Sequence, residues 1–198
     1  MKKIFLLIVI SLISISSFAQ KKNSSVKFTT SPVFAKADNL LAEVKNGTFQ
    51  ITINENGTPK DAIEVKASEP KFAPTDCKLT SFKANGIQLY LLSWTESTQT
   101  KTDLKTEDTV SIYSNIYEIT SKKLVLSNKK VSSHIVEKVF LDKFKNASET
   151  QERKRSEGFE LKLNSDGSIV QKTKTQENKL AYDVAKMQYV IYNKKNVN

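Results

Sequence analysis

Four of the five glycines in this chain follow Asn or Asp, as Asn46-Gly47, Asn56-Gly57, Asn85-Gly86 and Asp166-Gly167. These dipeptides tolerate the positive backbone angles that a tight two-residue hairpin turn demands. Their flanks carry the matching pattern. Phe49, Ile51 and Ile53 alternate with Gln50 and Thr52, and Ile63, Val65 and Ala67 alternate with Glu64 and Lys66. Cys77 to Phe82 leads into Asn85-Gly86, and Ile87 to Trp94 leads out. Phe159 to Leu163 leads into Asp166-Gly167, and Ser168 to Val170 returns. Period-two alternation beside a turn dipeptide predicts an antiparallel hairpin. The fold class expected is therefore mainly β: an antiparallel meander of about ten strands, closed as a barrel or stacked as a sandwich.

Individual segments refine this expectation. Ile87 to Leu92 (IQLYLL) is apolar on both faces, which predicts a central strand covered on both sides, with an N-terminal helix as one candidate cover. That helix is expected over 32–45. Ser31-Pro32 offers a cap and a first-turn proline, and Val33, Phe34, Ala37, Leu40, Leu41 and Val44 share one helical face. An extended arm competes with it, because Asp38-Asn39 form helix poorly. Residues 131–144 fit either period, and their β-branched residues favour a strand. A short polar helix is expected near 148–157, with Ser148 and Gln151 as a capping box and Gly158 as its stop. Thr95 to Thr109 reads as a long loop or hairpin tip. All four prolines lie within the first 74 residues, and Pro70 and Pro74 flank a non-regular crossing. At the C-terminus, Leu180–Tyr182 and Tyr189–Tyr192 are expected strands about an Asp183–Lys186 turn.

Residues 1–19 have the pattern of a secretory signal peptide: Lys2-Lys3, an apolar run from Ile4 to Ile13 broken only by Ser11, then Ser17 and Ala19 before the cut. Cleavage is expected between Ala19 and Gln20. Residues 20–31 then form a flexible leader, and 32–198 a single β-rich domain. The run is about half the ~20 residues a membrane span needs, so no transmembrane segment is expected after processing. The expected location is periplasmic or extracellular, in a bacterial envelope.

The chemistry-bearing residues are few. The chain holds 31 Lys+Arg against 21 Asp+Glu, but only Arg153 and Arg155 are arginine. A lysine-rich, arginine-poor exported chain does not suit nucleic-acid reading. One Cys and one His leave no multi-histidine metal site and no internal disulfide framework. Metal, cofactor and catalytic sites are all expected to be absent. His134 has Ser132 on its own strand face, and Cys77 has His134 as its one available base; the ordinary reading of each is structural. Glu107-Asp108, Glu149 and Glu152 lie in hydrophilic surroundings that suit surface charge better than glycoside hydrolysis. Tyr90, Trp94, Tyr113, Tyr117, Tyr189 and Tyr192 fall on expected strands, where packing is the commoner role. Lys122, Lys123, Lys129, Lys130, Arg153, Lys154 and Arg155 are the candidate contacts to an anionic surface, or else lysines that protect a sheet edge. The expected role is a non-catalytic β-domain that binds an apolar or envelope-derived ligand or serves as an envelope accessory protein. The alternatives are an interaction protein held to an anionic envelope through the basic strip, and a hydrolase with dispersed carboxylates.

Overall fold

The computed structural model describes residues 32–69 and 72–192; the expected signal peptide, its Ala19/Gln20 cleavage point and the leader lie outside the described residues. Thirteen strands run through these residues in three antiparallel sheets, and no sheet closes. The first sheet holds β1 (Val33–Ala37), β2 (Leu40–Lys45), β3 (Thr48–Glu55) and β4 (Thr58–Ala67). The middle sheet holds β5 (Thr75–Ala84), β6 (Ile87–Lys101), β7 (Lys105–Glu118), β8 (Lys123–Phe140) and β9 (Ser148–Gly158). The last sheet holds β10 (Glu160–Leu163), β11 (Ile169–Lys172), β12 (Glu177–Asp183) and β13 (Gln188–Ile191). Strands are ordered as they occur in the chain, so each sheet is a meander. The mainly-β, antiparallel expectation holds. The single barrel or sandwich is corrected to three separate sheets.

The turn dipeptides sit where their chemistry requires. Asn46-Gly47, Asn56-Gly57 and Asn85-Gly86 each join paired strand ends, and all six residues have positive φ. The expected helix over 32–45 is instead the β1–β2 hairpin, with Asp38-Asn39 at its turn and Asp38 at φ 50°. A helical stripe of six apolar residues also reads as two short strands once a turn divides it. Leu40 and Ala42 then point into the core beside Phe49 and Ile51 of β3. Hairpin pairing with β3 outweighs the weak helix propensity of Asp38-Asn39. The polar helix near 148–157 is corrected too: this segment is β9, paired along its length with β8. With no apolar stripe to bury, a helix there would gain little from packing, whereas the edge of β8 offers a full ladder of backbone partners. Gln151 donates to Glu149 at 2.6 Å rather than closing a capping box with Ser148. Residues 131–140 belong to β8, and Thr95–Thr109 is the long β6–β7 hairpin tip.

Two cores flank the middle sheet. Leu40, Phe49 and Ile51 of the first sheet pack against Tyr90, Leu92 and Trp94 of β6 and Tyr117 of β7. On the opposite face Leu89 of β6, Ile116 of β7 and Val125 of β8 pack against Ile169, Leu180, Tyr182 and Tyr189 of the last sheet. The apolar run IQLYLL is thus covered on both sides, by two sheets rather than by a helix. Polar links hold the layers in register. Lys66 of β4 reaches Glu96 of β6 at 3.0 Å. Buried Asn128 of β8 donates to the Phe159 carbonyl at 2.9 Å and accepts from Gln171 of β11 at 3.1 Å.

Candidate functional site

The middle sheet outgrows its covers. Trp94, Tyr113 and Lys129 lie side by side on β6, β7 and β8. Beyond this row neither core contains a residue of 95–112 or 130–158. The Lys130–Phe140 part of β8 alone is on the order of 35 Å long at about 3.3 Å per residue. Four strands continue as one blade, and all eleven residues of β9, its edge, are exposed. An edge strand presents unpaired backbone groups, and charged side chains discourage chance pairing there. Thr150 to Glu157 carries Glu152, Arg153, Lys154, Arg155 and Glu157, which is that kind of protection.

The row at the root of the blade closes the first core. The Trp94 and Tyr113 rings stack at 4.7 Å and 7°. Trp94 is buried, and its indole N–H donates to Glu96 at 2.7 Å. The Lys129 ammonium sits 5.1 Å from the Tyr113 ring centroid. Both faces of the tyrosine are engaged, so this pair plugs the core rather than offering a platform for a sugar. Tyr90, Tyr117 and Tyr189 are also buried. Tyr192 is exposed and lines a groove of about 760 Å³ on the outer face of the last sheet with Lys162, Lys172 and Lys179. Glu177 lies 3.9 Å from both Lys172 and Lys179. A second groove, of about 570 Å³, separates the blade from the β11–β12 turn near Lys130 and Lys174. Both grooves are open and lysine-lined, which suits an anionic occupant better than an apolar one.

The basic residues singled out by sequence are only partly gathered. Lys122 and Lys123 lie at the β7–β8 turn, at the opposite end of the sheet from the blade. Lys122 pairs with Asp61, and Lys123 donates to the Lys186 carbonyl at 3.2 Å. Lys129, Arg153 and Arg155 share one face of the blade, and Lys130 and Lys154 share the other, as the strand register dictates. Lys130 pairs with Glu160 at 2.9 Å and Arg153 with Glu137 at 2.9 Å. Lys154 and Arg155 make no ion pair among the described residues. Eight of the 31 basic residues, namely Lys2, Lys3, Lys21, Lys22, Lys27, Lys71, Lys194 and Lys195, fall outside the described residues. All 21 acids fall within them, which leaves 23 cations against 21 anions. The described fold is nearly neutral, and any electrostatic attraction it exerts is local.

The catalytic candidates do not converge. Cys77 on β5 packs against the first core, while His134 on β8 belongs to the opposite face. They are three strands apart, on the order of 14 Å across the sheet before any offset along it. Burial pushes the Cys77 thiol up to about 11, away from the reactive thiolate. His134 pairs with Glu152 at 2.6 Å. Glu107 and Asp108, adjacent on a strand, face opposite sides, and Glu107 is held below the ordinary glutamate range chiefly by the Lys105 ammonium at 2.6 Å. Glu149 lies near the blade tip and accepts from Gln151.

Sequence reasoning missed the tip itself. Leu104 sits in the β6–β7 turn, Leu141 and Phe144 in the β8–β9 turn, and they are 45%, 61% and 71% exposed. The apolar spacing over 131–144 placed Leu141 and Phe144 on the expected strand, but β8 ends at Phe140 and both fall in the turn; only strand pairing puts Leu104 at the same end of the sheet. Comparison with protein-family models, with curated proteins and with solved structures found no significant match.

Proposed function

We propose that this protein is an exported, non-catalytic β-domain that serves as an envelope accessory, associating with an anionic envelope surface through the projecting half of its middle sheet. The carrying observation is the blade: four paired strands that run beyond both cores, with Ile135 the one apolar side chain fully buried within it, on a body otherwise stabilised by those cores. A sheet extended so far beyond its cores adds little to their stability, so its length favours a role in contact. Lys154 and Arg155 supply positive charge on either face without an acid partner within 4 Å among the described residues. Attraction of this kind acts over about a Debye length, near 10 Å at 0.1 M salt, and weakens as salt rises.

The test is retention of the purified protein on lipopolysaccharide-bearing outer-membrane vesicles at about 50 and 200 mM salt. The expected result is retention at the lower salt, loss at the higher, and a marked reduction in the Lys154→Glu/Arg155→Glu double variant. Absence of retention at low salt overturns the proposal.

A further inference from the structure

The far end of the blade is an apolar point set among lysines. The β6–β7 turn (residues 102–104) is fastened to β8 by a hydrogen bond from the Lys138 N–H to the Leu104 carbonyl at 2.8 Å, and three residues further along β8 the β8–β9 turn (residues 141–147) closes the same end of the sheet. They bring Leu104, Leu141 and Phe144 to one end, with half-buried Val139 and Phe140 behind them. Around these stand Lys101, Lys138, Lys143 and Lys145. The Lys143 ammonium lies 4.8 Å from the Phe144 ring centroid, and those of Lys145 and Lys138 lie 5.4 and 5.7 Å from that of Phe140. The acids nearby are Asp103, Asp142 and Glu149. Asp142 is turned inward, accepting the backbone N–H groups of Phe144, Asn146 and Ala147 at 2.8, 3.1 and 3.1 Å.

That inward carboxylate organises the larger turn. Leu141 N–H donates to the Ala147 carbonyl at 3.0 Å, Lys145 N–H donates to the Asp142 carbonyl at 3.2 Å, and Lys145 adopts φ 61°. Left-handed backbone is unfavourable for a lysine. The turn therefore spends its hydrogen bonds and one unfavourable residue on a shape that holds a phenylalanine and a leucine out in water. In the smaller turn Thr102 N–H donates to the Lys105 carbonyl at 2.7 Å, and Lys105 N–H donates to the Thr102 hydroxyl at 3.0 Å. Both turns are held by internal hydrogen bonds, which limits the conformational entropy lost when they dock.

From this we infer that the blade tip is a bilayer-anchoring point: Leu104, Leu141 and Phe144 enter the headgroup–acyl boundary of an anionic phospholipid membrane while the four lysines contact its headgroups. The inference rests on the envelope-surface reading above and names the partner. Apolar side chains combined with lysines match the two requirements of interfacial binding, hydrophobic burial and attraction to anionic lipid. Lysine stems lie along apolar surface and carry their ammonium groups to the headgroup level. A narrow tip with three exposed apolar side chains suits shallow insertion. A protein-binding site would need more area, since stable protein interfaces bury about 800 Å² per partner.

The test is sedimentation of the protein, as purified from its producing cell, with vesicles of pure phosphatidylcholine and of phosphatidylcholine containing phosphatidylglycerol. Partition into the anionic vesicles is expected, falling at least tenfold in Leu141→Ser/Phe144→Ser. It is expected to fall about fivefold in Lys143→Gln, as the loss of one lysine near an anionic surface predicts. Circular dichroism of each variant checks that the strands persist. Phe144→Trp supplies a second readout: its emission moves to the blue on anionic vesicles and is quenched by brominated acyl chains. Partition that the Leu141→Ser/Phe144→Ser change leaves intact, with the Phe144→Trp emission unmoved, overturns the inference. If retention on outer-membrane vesicles still responds to Lys154→Glu/Arg155→Glu, the envelope-surface reading survives that failure. No binding to any anionic surface removes both. Concentration-dependent dimerisation abolished by Phe144→Ser, without vesicle binding, would assign the tip to a second copy and also overturn the inference.

Discussion

Replacing Gly167 by alanine tests how the last sheet is locked to the middle one. Gly57 and Gly167 both have φ near +80°, at +81° and +80°. An alanine in left-handed backbone costs about 1–2 kcal/mol wherever it occurs. At Gly57 the added Cβ meets nothing within 4 Å. At Gly167 it would lie 2.3 Å from the Lys83 carbonyl oxygen and 2.7 Å from both Cα and Cβ of Ala84. These are backbone and buried atoms at the end of β5, so the β10–β11 turn must retreat by roughly an ångström, an overpacking cost of about 1–3 kcal/mol. The retreat also stretches the 2.8 Å hydrogen bond that the buried Tyr189 hydroxyl donates to the Gly167 carbonyl, worth about 1 kcal/mol. Gly57→Ala is then expected to cost about 1–2 kcal/mol, and Gly167→Ala about 3–6 kcal/mol. Urea and thermal unfolding followed by circular dichroism read the difference. At about 2–4 °C per kcal/mol for a chain of this size, the extra cost of about 2–4 kcal/mol makes Gly167→Ala melt roughly 4–16 °C below Gly57→Ala. Combination with Tyr189→Phe is expected to be less than additive, because both changes weaken one contact. Equal stability of the two alanine variants would show that the turn does not approach β5 this closely.

Leu89→Ala and Leu92→Ala should each cost about 2–5 kcal/mol, but on opposite sides of β6. Hydrogen exchange is expected to quicken first in β10–β13 for Leu89→Ala and first in β1–β4 for Leu92→Ala; identical exchange patterns would contradict the three-layer arrangement. Asp61, Glu107, Glu118, Asp142, Glu160, Asp166 and Asp183 all titrate below their ordinary values. For Glu118 burial opposes this, and donation from the Ser121 hydroxyl and the Ser121 and Thr120 backbone N–H groups outweighs it. A depressed carboxylate stabilises the fold fully above its unfolded value and loses that contribution as pH falls through the lower folded one. Stability measured by urea titration should therefore drop as pH falls below about 4.5, less steeply in Glu118→Gln, and a flat profile would count against it. Cys77, with its thiol raised by burial to about 11, should react with a thiol-specific disulfide reagent far more slowly in the native protein than in urea at pH 8; equal rates would show an exposed thiol.

How much of this was legible in the residues depended on the range of the interaction. Asn-Gly pairs declare their turns because the positive φ is intrinsic to two adjacent residues, and the alternation beside them fixes which side chains face inward. The doubly apolar run in β6 declared two covers for the same local reason. The segments at 32–45 and 148–157 were misread because each lacks a decisive local signal. β1 and β2 carry apolar spacing that serves either period, and β9 has no preference beyond polarity. Their partners decided them, β3 for one hairpin and the open edge of β8 for the other. Individual basic residues were visible as charge, but pairing split them between two faces and matched Lys122, Lys130 and Arg153 with Asp61, Glu160 and Glu137.

The sequence by itself determined strands, turns and the inward face of most strands, because φ preference and side-chain alternation act over a few residues. Only the tertiary structure decided that the hairpins divide into three sheets, that the middle one projects beyond its covers, and that Leu104, Leu141 and Phe144 fall at the same end of it. Those outcomes depend on which strands find each other across long stretches of chain, and on where two buried faces run out of partners.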